Sequence, residues 1–241
     1  MTSVAYYFKR GVFACRSGDF YVFLDLSTEN YLCIPRYEFD AATTSITIGS
    51  PVPGSPASAI PLPDNISALL ENLADTGVLT TDPELACDHD PLSTCPAFVF
   101  EIHAFEHKRR FPRSLLAAPT FLAASNRTHV RLRHTSLGNT VRWIAERKRR
   151  VNARGHLSPL CRVQRLVADF MTLRPTFPRP YLCLFDSLAL VDFLLLHNIS
   201  TDWVFGVRAE PFAAHCWVVY NGLLVNDTPD RVAPYTPLML V

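Results

Sequence analysis

Between Cys183 and His197 the chain is apolar almost all the way round, with Leu184, Phe185, Leu188, Leu190, Val191, Phe193, Leu194 and Leu195 leaving no polar face. A helix of that composition has no side to show water and has to lie at the centre of a domain. Pro175, Pro178 and Pro180 break the chain just before it. After it come three short runs rich in β-branched and aromatic residues: Trp203-Val-Phe-Gly-Val207, Ala214-His-Cys-Trp-Val-Val219 and Leu223-Leu-Val-Asn226. Each reads as a strand, and Tyr220-Asn221-Gly222 between the last two is a hairpin signal. Upstream, Gly138 to Arg154 reads as a helix with Val141, Ile144 and Ala145 inward. Leu160 to Leu173 reads as another, with Leu160, Val163, Leu166, Val167 and Phe170 on one face. The C-terminal third is therefore an α+β unit built around one buried helix.

The other end of the chain has a different texture. Val4-Ala-Tyr-Tyr-Phe8, Phe20-Tyr-Val-Phe-Leu24 and Tyr31-Leu-Cys-Ile34 are expected as an antiparallel meander, with turns at Gly18-Asp19 and Ser27-Thr-Glu-Asn30. Five prolines between 51 and 63 forbid a regular helix or central strand there. A helix follows from about Asn65 to Thr76, with Ile66, Leu69, Leu70 and Leu73 on one face and Gly77 as its stop; Val78-Leu79-Thr80 adds a short strand. Asp82 to Pro96 is acidic and polar, and 98–135 carries mixed signals. We read 1–85 as one domain, 86–135 as linker and connecting segment, and 136–241 as a second domain.

With 241 residues, 49% of them hydrophobic and 19% charged, the chain can bury a core. No run of 18 apolar residues and no basic–apolar–small start is present, so the expectation is a cytoplasmic protein without a membrane span. The seven cysteines have irregular spacing and no C-x-x-C pair, which favours free thiols over disulfides or zinc; no metal is expected. Net charge is +1, but 1–100 carries −8, 101–180 carries +13 and 181–241 carries −4. Few aromatics interleave with the basic residues, so no nucleic acid is expected. The basic middle, Arg147 to Arg150 in particular, should meet acidic protein surface in this chain or on a partner.

Three residues of the C-terminal unit carry chemistry. Cys183 starts the buried helix, where unpaired N–H groups and the positive end of the helix dipole favour thiolate and can hold an oxyanion. His215 lies in an apolar strand, and Asp227 ends the next. Thiol, imidazole and carboxylate in that setting suit acyl transfer, in which the thiolate attacks, the imidazole moves protons and the carboxylate orients it. Each residue has a plain alternative: small core residue, core histidine, turn residue. Cys216 adjoins His215 in a strand and points to the opposite face, and Cys161 lacks a partner histidine. The strand register is then constrained. A two-residue Asn221-Gly222 turn would set Cys216 opposite Asp227, whereas a three-residue loop, or a bulge shifting the register by one, sets His215 there.

The blocks Cys183-Leu-Phe-Asp-Ser-Leu-Ala-Leu190, Val204-Phe-Gly-Val-Arg208, Pro211-Phe-Ala-Ala-His215-Cys-Trp-Val218 and Val225-Asn-Asp227 resemble the processing B proteins of lasso peptide biosynthesis, over about Leu160 to Val241. The resemblance implies a papain/transglutaminase-like cysteine peptidase domain with Cys183, His215 and Asp227 as triad. It implies that the substrate is the leader of a ribosomally made precursor, and that an asparagine-synthetase-like cyclase, which uses ATP, is the partner. No cofactor is expected on this chain, whose nine glycines form no phosphate cradle. The N-terminal part, through Phe23-Leu-Asp25-Leu, Tyr31-Leu-Cys-Ile34 and the helix from Ile66, resembles the winged-helix-like leader-recognition module of these peptidases. In that module an extended leader adds a strand beside the third strand. The residues implied are Tyr31, Leu32, Cys33, Ile34, Leu69, Leu70 and Leu73. The alternatives are a transglutaminase-type acyltransferase and a non-catalytic chaperone that presents the precursor.

Overall fold

A computed structural model describes residues 5–43, 46–47, 63–92, 113–155 and 157–241. Most of the proline-rich stretch, residues 93–96 of the acidic segment and 98–112 lie outside these residues. The chain divides into two compact units, Met1–Pro96 with Val207–Ala213 and Ala97–Gly206 with Ala214–Val241.

In the first unit, β2 (Val12–Ser17), β3 (Phe20–Asp25) and β4 (Asn30–Pro35) form an antiparallel sheet in that order, with Cys15 opposite Val22 and Phe23 opposite Leu32. The turns fall where expected, and Gly18 supplies the positive φ that the first one needs (61°). The expected first strand is real but belongs elsewhere. β1 (Tyr6–Phe8) pairs in parallel with β5 (Ile46–Thr47) and antiparallel with β6 (Leu79–Thr80), so the meander's first member is Val12–Ser17 instead. A helix that the sequence did not announce, α1 (Arg36–Thr43), follows β4 directly. α2 (Asp64–Asp75) ends at Gly77, whose φ of 81° only glycine adopts cheaply.

The core of this unit contains Phe8, Phe23, Ile34, Phe39, Leu70, Leu73 and Leu79. Phe39 of α1 packs its ring 5.1 Å from Phe23 and 4.8 Å from Tyr21. Three of the seven leader-binding candidates, Ile34, Leu70 and Leu73, are thus core residues with 5% exposure or less. Leu32 and Leu69 are partly buried against the same core, Tyr31 is half-buried, and Cys33 is exposed. The alternation of β4 is the cause: Leu32 and Ile34 point inward, Tyr31 and Cys33 the other way.

The second unit contains α3 (Ala118–His134), α4 (Leu137–Asn152), α5 (Leu160–Leu173) and α6 (Cys183–Leu196). β7 (Asp202–Arg208) as far as Gly206, β8 (Ala213–Tyr220) from Ala214, β9 (Leu223–Leu224), a short α7 (Pro229–Val232) and β10 (Thr236–Leu240) complete it. The sheet runs β10-β7-β8-β9. α6 is buried from Phe185 to Leu195 except at Asp186, with α3, α4 and α5 packed on it, as its all-round apolar composition requires. Each full-sized apolar side chain buried there contributes about 1.5–3 kcal/mol. α3 comes from the segment read as a connector, so that segment supplies part of this core. Leu160, expected inward, is 41% exposed because it opens α5 before the apolar stripe meets its neighbours.

The basic helix α4 meets acid partly as expected. Arg147 pairs with the fully buried Asp192 at 3.3 Å, alongside Arg127 at 2.7 Å, and Lys148 reaches Asp202 at 3.0 Å. Among the described residues, Arg149 and Arg150 pair with Glu146 of their own helix.

Candidate functional site

α6 begins at Cys183 with Leu182 as its N-cap residue, and Leu182 has no side chain able to cap. Asp186 does so instead: its Oδ2 accepts the Leu182 N–H at 2.9 Å. Behind it sits Arg174, 1% exposed, which donates through Nε to the other carboxylate oxygen of Asp186. The rest of the guanidinium donates to the carbonyls of Arg179 (3.2 Å), Pro180 (2.9 Å) and Phe177 (3.4 Å). One buried cation therefore fixes the whole loop that leads to the cysteine.

Across from α6, His215 of β8 and Asp227 meet: Nε2 lies 2.5 Å from Oδ2, with side-chain exposures of 11% and 6%. The other Asp227 oxygen accepts the Thr228 N–H at 2.8 Å and lies 3.4 Å from Nε of Arg231. The rings of Tyr235 and Trp217 flank the imidazole at 5.2 and 5.8 Å. With Nε2 committed to the carboxylate, Nδ1 is the nitrogen left for a sulfur.

The register that allows this differs from the expected one. Tyr220 faces Leu223 and Val219 faces Leu224, so the hairpin closes through a two-residue turn, with Asn221 and Gly222 at φ 48° and 79°. Both values are positive, as a type I′ turn demands. Continued regularly, this ladder would set Cys216 opposite Asp227. It does not continue. Val225 donates to the Val218 carbonyl at 3.0 Å, but the returning bond from Val218 N–H goes to the side-chain Oδ1 of Asn226 at 2.7 Å. The Asn226 carboxamide replaces a backbone carbonyl, the chain leaves the ladder, and Asp227 swings to His215.

Cys183, His215 and Asp227 are thereby brought together, and the electrostatics follow. The Cys183 thiol is pulled down to about 4, first by a hydrogen bond from the Cys216 thiol, then by His215. Burial opposes this, and the Cys216 backbone N–H and the imidazolium charge add to it. His215 is raised to about 9 by its hydrogen bond to Asp227, then by that to Cys183, against burial. Burial pushes the Asp227 carboxyl up, but His215 and the Thr228 N–H outweigh it and leave it below the usual range. At neutral pH the group is a thiolate, an imidazolium and a carboxylate in a row.

Sequence reasoning passed over Cys216. Its side chain lies against α6, 3.4 Å from the Ser187 hydroxyl, and its thiol and backbone N–H both reach the Cys183 sulfur, as His215 does. Burial holds the Cys216 thiol well above its ordinary range, so it remains an S–H donor. Ser187, one turn along α6 from Cys183, was missed as well. Its hydroxyl accepts the Trp203 indole N–H at 2.8 Å and lies 2.6 Å from the Cys183 carbonyl and 3.4 Å from the Cys216 sulfur. The i, i+4 spacing from Cys183 was the available signal. Among the described residues no cluster of three or more metal-binding side chains occurs, and no helix is long and apolar enough to cross a membrane.

Residues 125–240 match the family described as the transglutaminase-like superfamily, a stretch that holds all three site residues. The chain is 44% identical over 48 residues to the microcin J25-processing protein McjB of Escherichia coli. That match covers 20% of this chain and 23% of the relative's length. No solved structure matches the chain significantly. The stretch from 125 to 240 is a transglutaminase-like domain.

Proposed function

We propose that this protein is the leader peptidase of lasso peptide maturation, cutting the amide between leader and core through a Cys183 thioester. The observation that carries the reading is the ready-made thiolate–imidazolium pair at the start of α6, backed by Asp227. The thiolate attacks the scissile carbonyl carbon, and the oxyanion is held by N–H groups of the first turn of α6. The His215 imidazolium gives its proton to the leaving amine, the core is released, and the leader stays as an acyl group on sulfur. Now neutral, His215 takes a proton from water, which attacks the thioester and restores the thiolate. Throughout, Asp227 holds Nε2 and favours the imidazolium.

Leader recognition belongs to the first unit. Among the described residues β4 is an outer strand of its sheet and offers backbone groups for strand addition, with Tyr31, Leu32, Cys33 and Leu69 the candidates that retain accessible surface. The released core passes to an ATP-consuming cyclase that closes the macrolactam. The test is to incubate the purified chain with its precursor, with and without the cyclase, and weigh the products. Free leader acid and free core, lost in Cys183→Ala, support the reading. Leader joined to an added amine would indicate acyl transfer, which a transglutaminase-like domain can also perform. An intact precursor under every condition would overturn both.

A further inference from the structure

Between α3, the loop before α6 and the first turn of α6 lies a cavity of about 450 Å³. Its apolar wall is Leu132 of α3 with Leu184 and Phe185 of α6. Its polar rim is basic: His129 and Arg133 of α3, and Arg179 of the loop before α6. Leu182 closes the side next to the nucleophile and is 54% exposed. An Arg179 guanidinium N–H points at Nε2 of His129, 3.2 Å away. Burial, then Arg179 and Arg133, hold that imidazole below its ordinary range, so it accepts as a neutral ring. Among the described residues no carboxylate lines the cavity or pairs with Arg133 or Arg179. Elsewhere in this unit Arg127, Arg147, Lys148 and Arg174 pair with acids, whereas Arg131 stacks on Trp143 and Arg162 bonds Ser158 and the His197 carbonyl. Two cations beside an apolar cavity with no acid of their own are an unfilled complement.

The position of the cavity says what should fill it. Leu182 and Leu184 are the chain neighbours of Cys183, so their Cα atoms lie about 3.8 Å from that of the nucleophile. An extended peptide advances about 3.3–3.6 Å per residue, and a residue one to three positions from the attacked carbonyl reaches the cavity. The acyl side is the part that remains bonded to the Cys183 sulfur through both half-reactions, and it gains most from a pocket fixed to the same helix start. We propose that this cavity is a substrate subsite for the acyl side of the peptide, taking a bulky apolar side chain against Leu132, Leu184 and Phe185 and an acidic side chain between Arg133 and Arg179. The proposal rests on the peptidase reading and adds a substrate preference: a leader that is acidic and apolar within three residues of its cleaved end.

The probes are tripeptide acyloxymethyl ketones, which place acyl-side residues in the site and label its cysteine. Asp, Lys or Leu is walked through the three positions, and labelling of Cys183 in the full chain is followed by mass spectrometry. The readout is the ratio of Asp-probe to Lys-probe rates at each position, which cancels any general change in thiol reactivity. Exposed ion pairs are worth roughly threefold each, so with both arginines engaged the ratio at one position should approach about tenfold in favour of Asp. Arg133→Glu, a change at an exposed side chain, should bring that ratio to about one or below, and Arg179→Glu likewise. A flat ratio at all three positions, or an Asp preference untouched by both substitutions, overturns the subsite and leaves the peptidase reading standing. No labelling by any probe overturns the peptidase reading and the subsite with it.

Discussion

Replacing Arg174 by Met keeps an unbranched apolar stem and deletes the charge and all five donors. Three carbonyls of the loop 177–180 lose their partner, and Asp186 keeps only the Leu182 N–H. The side chain is 1% exposed, with Tyr181 and Phe185 rings at 4.5 and 5.1 Å, so water does not simply take over. Breaking a buried pair by removing one partner costs about 3–5 kcal/mol. Against a total stability of about 5–15 kcal/mol this is a large loss, on the order of 10 °C in Tm. Much of it is the stranded Asp186 carboxylate, so Arg174→Met/Asp186→Asn should recover at least about 1 kcal/mol while Asn still accepts the Leu182 N–H. All three tryptophans, Trp143, Trp203 and Trp217, lie in the second unit, so urea denaturation followed by indole fluorescence reports that unit selectively. A cost below about 1 kcal/mol for the single variant, or a double variant less stable than the single, would refute the clamp.

Two further outcomes follow from the same geometry. Cys216→Ala removes the strongest donor to the Cys183 sulfur, so the thiolate should persist only to a higher pH than about 4 and alkylation at pH 5 should slow, with the fold intact by circular dichroism. Gly206→Ala places a Cβ 2.5 Å from the Trp217 indole, and overpacking of this kind should cost about 1–3 kcal/mol in urea denaturation, with Trp217 displaced beside His215.

Local chemistry was readable, and pairing between elements was not. α6 announced itself because no periodic face competed with burial, and Cys183 stood out because the prolines before it leave it at a helix start. The type I′ turn was written in Asn221-Gly222, yet the register beyond it depended on Asn226 replacing a backbone carbonyl with its side chain, which no alternation rule anticipates. β10 escaped notice because Pro237 argues against a strand; at the edge of the sheet a proline is tolerated. α1 follows Pro35 without a break and has only two buried residues, Phe39 and Ala42, too few for a period to show. Cys216 was set aside because alternation keeps it from pairing with His215, an argument that says nothing of its contact with Cys183.

The central claim is that Cys183 is already a thiolate in the resting protein, and the pH dependence of its labelling by iodoacetamide tests it most directly. Labelling is quantified by mass spectrometry of the peptide that contains Cys183, with N-acetylcysteine as the ordinary thiol. A thiol held at about 4 is nearly all thiolate from pH 5.5 upward, and the imidazolium persists to about 9. Between pH 5.5 and 7.5 the Cys183 rate should therefore change less than about twofold, while an ordinary thiol gains close to ~100-fold. A Cys183 rate that climbs about tenfold per pH unit across that window, in step with N-acetylcysteine, would contradict the ion pair and the mechanism built on it.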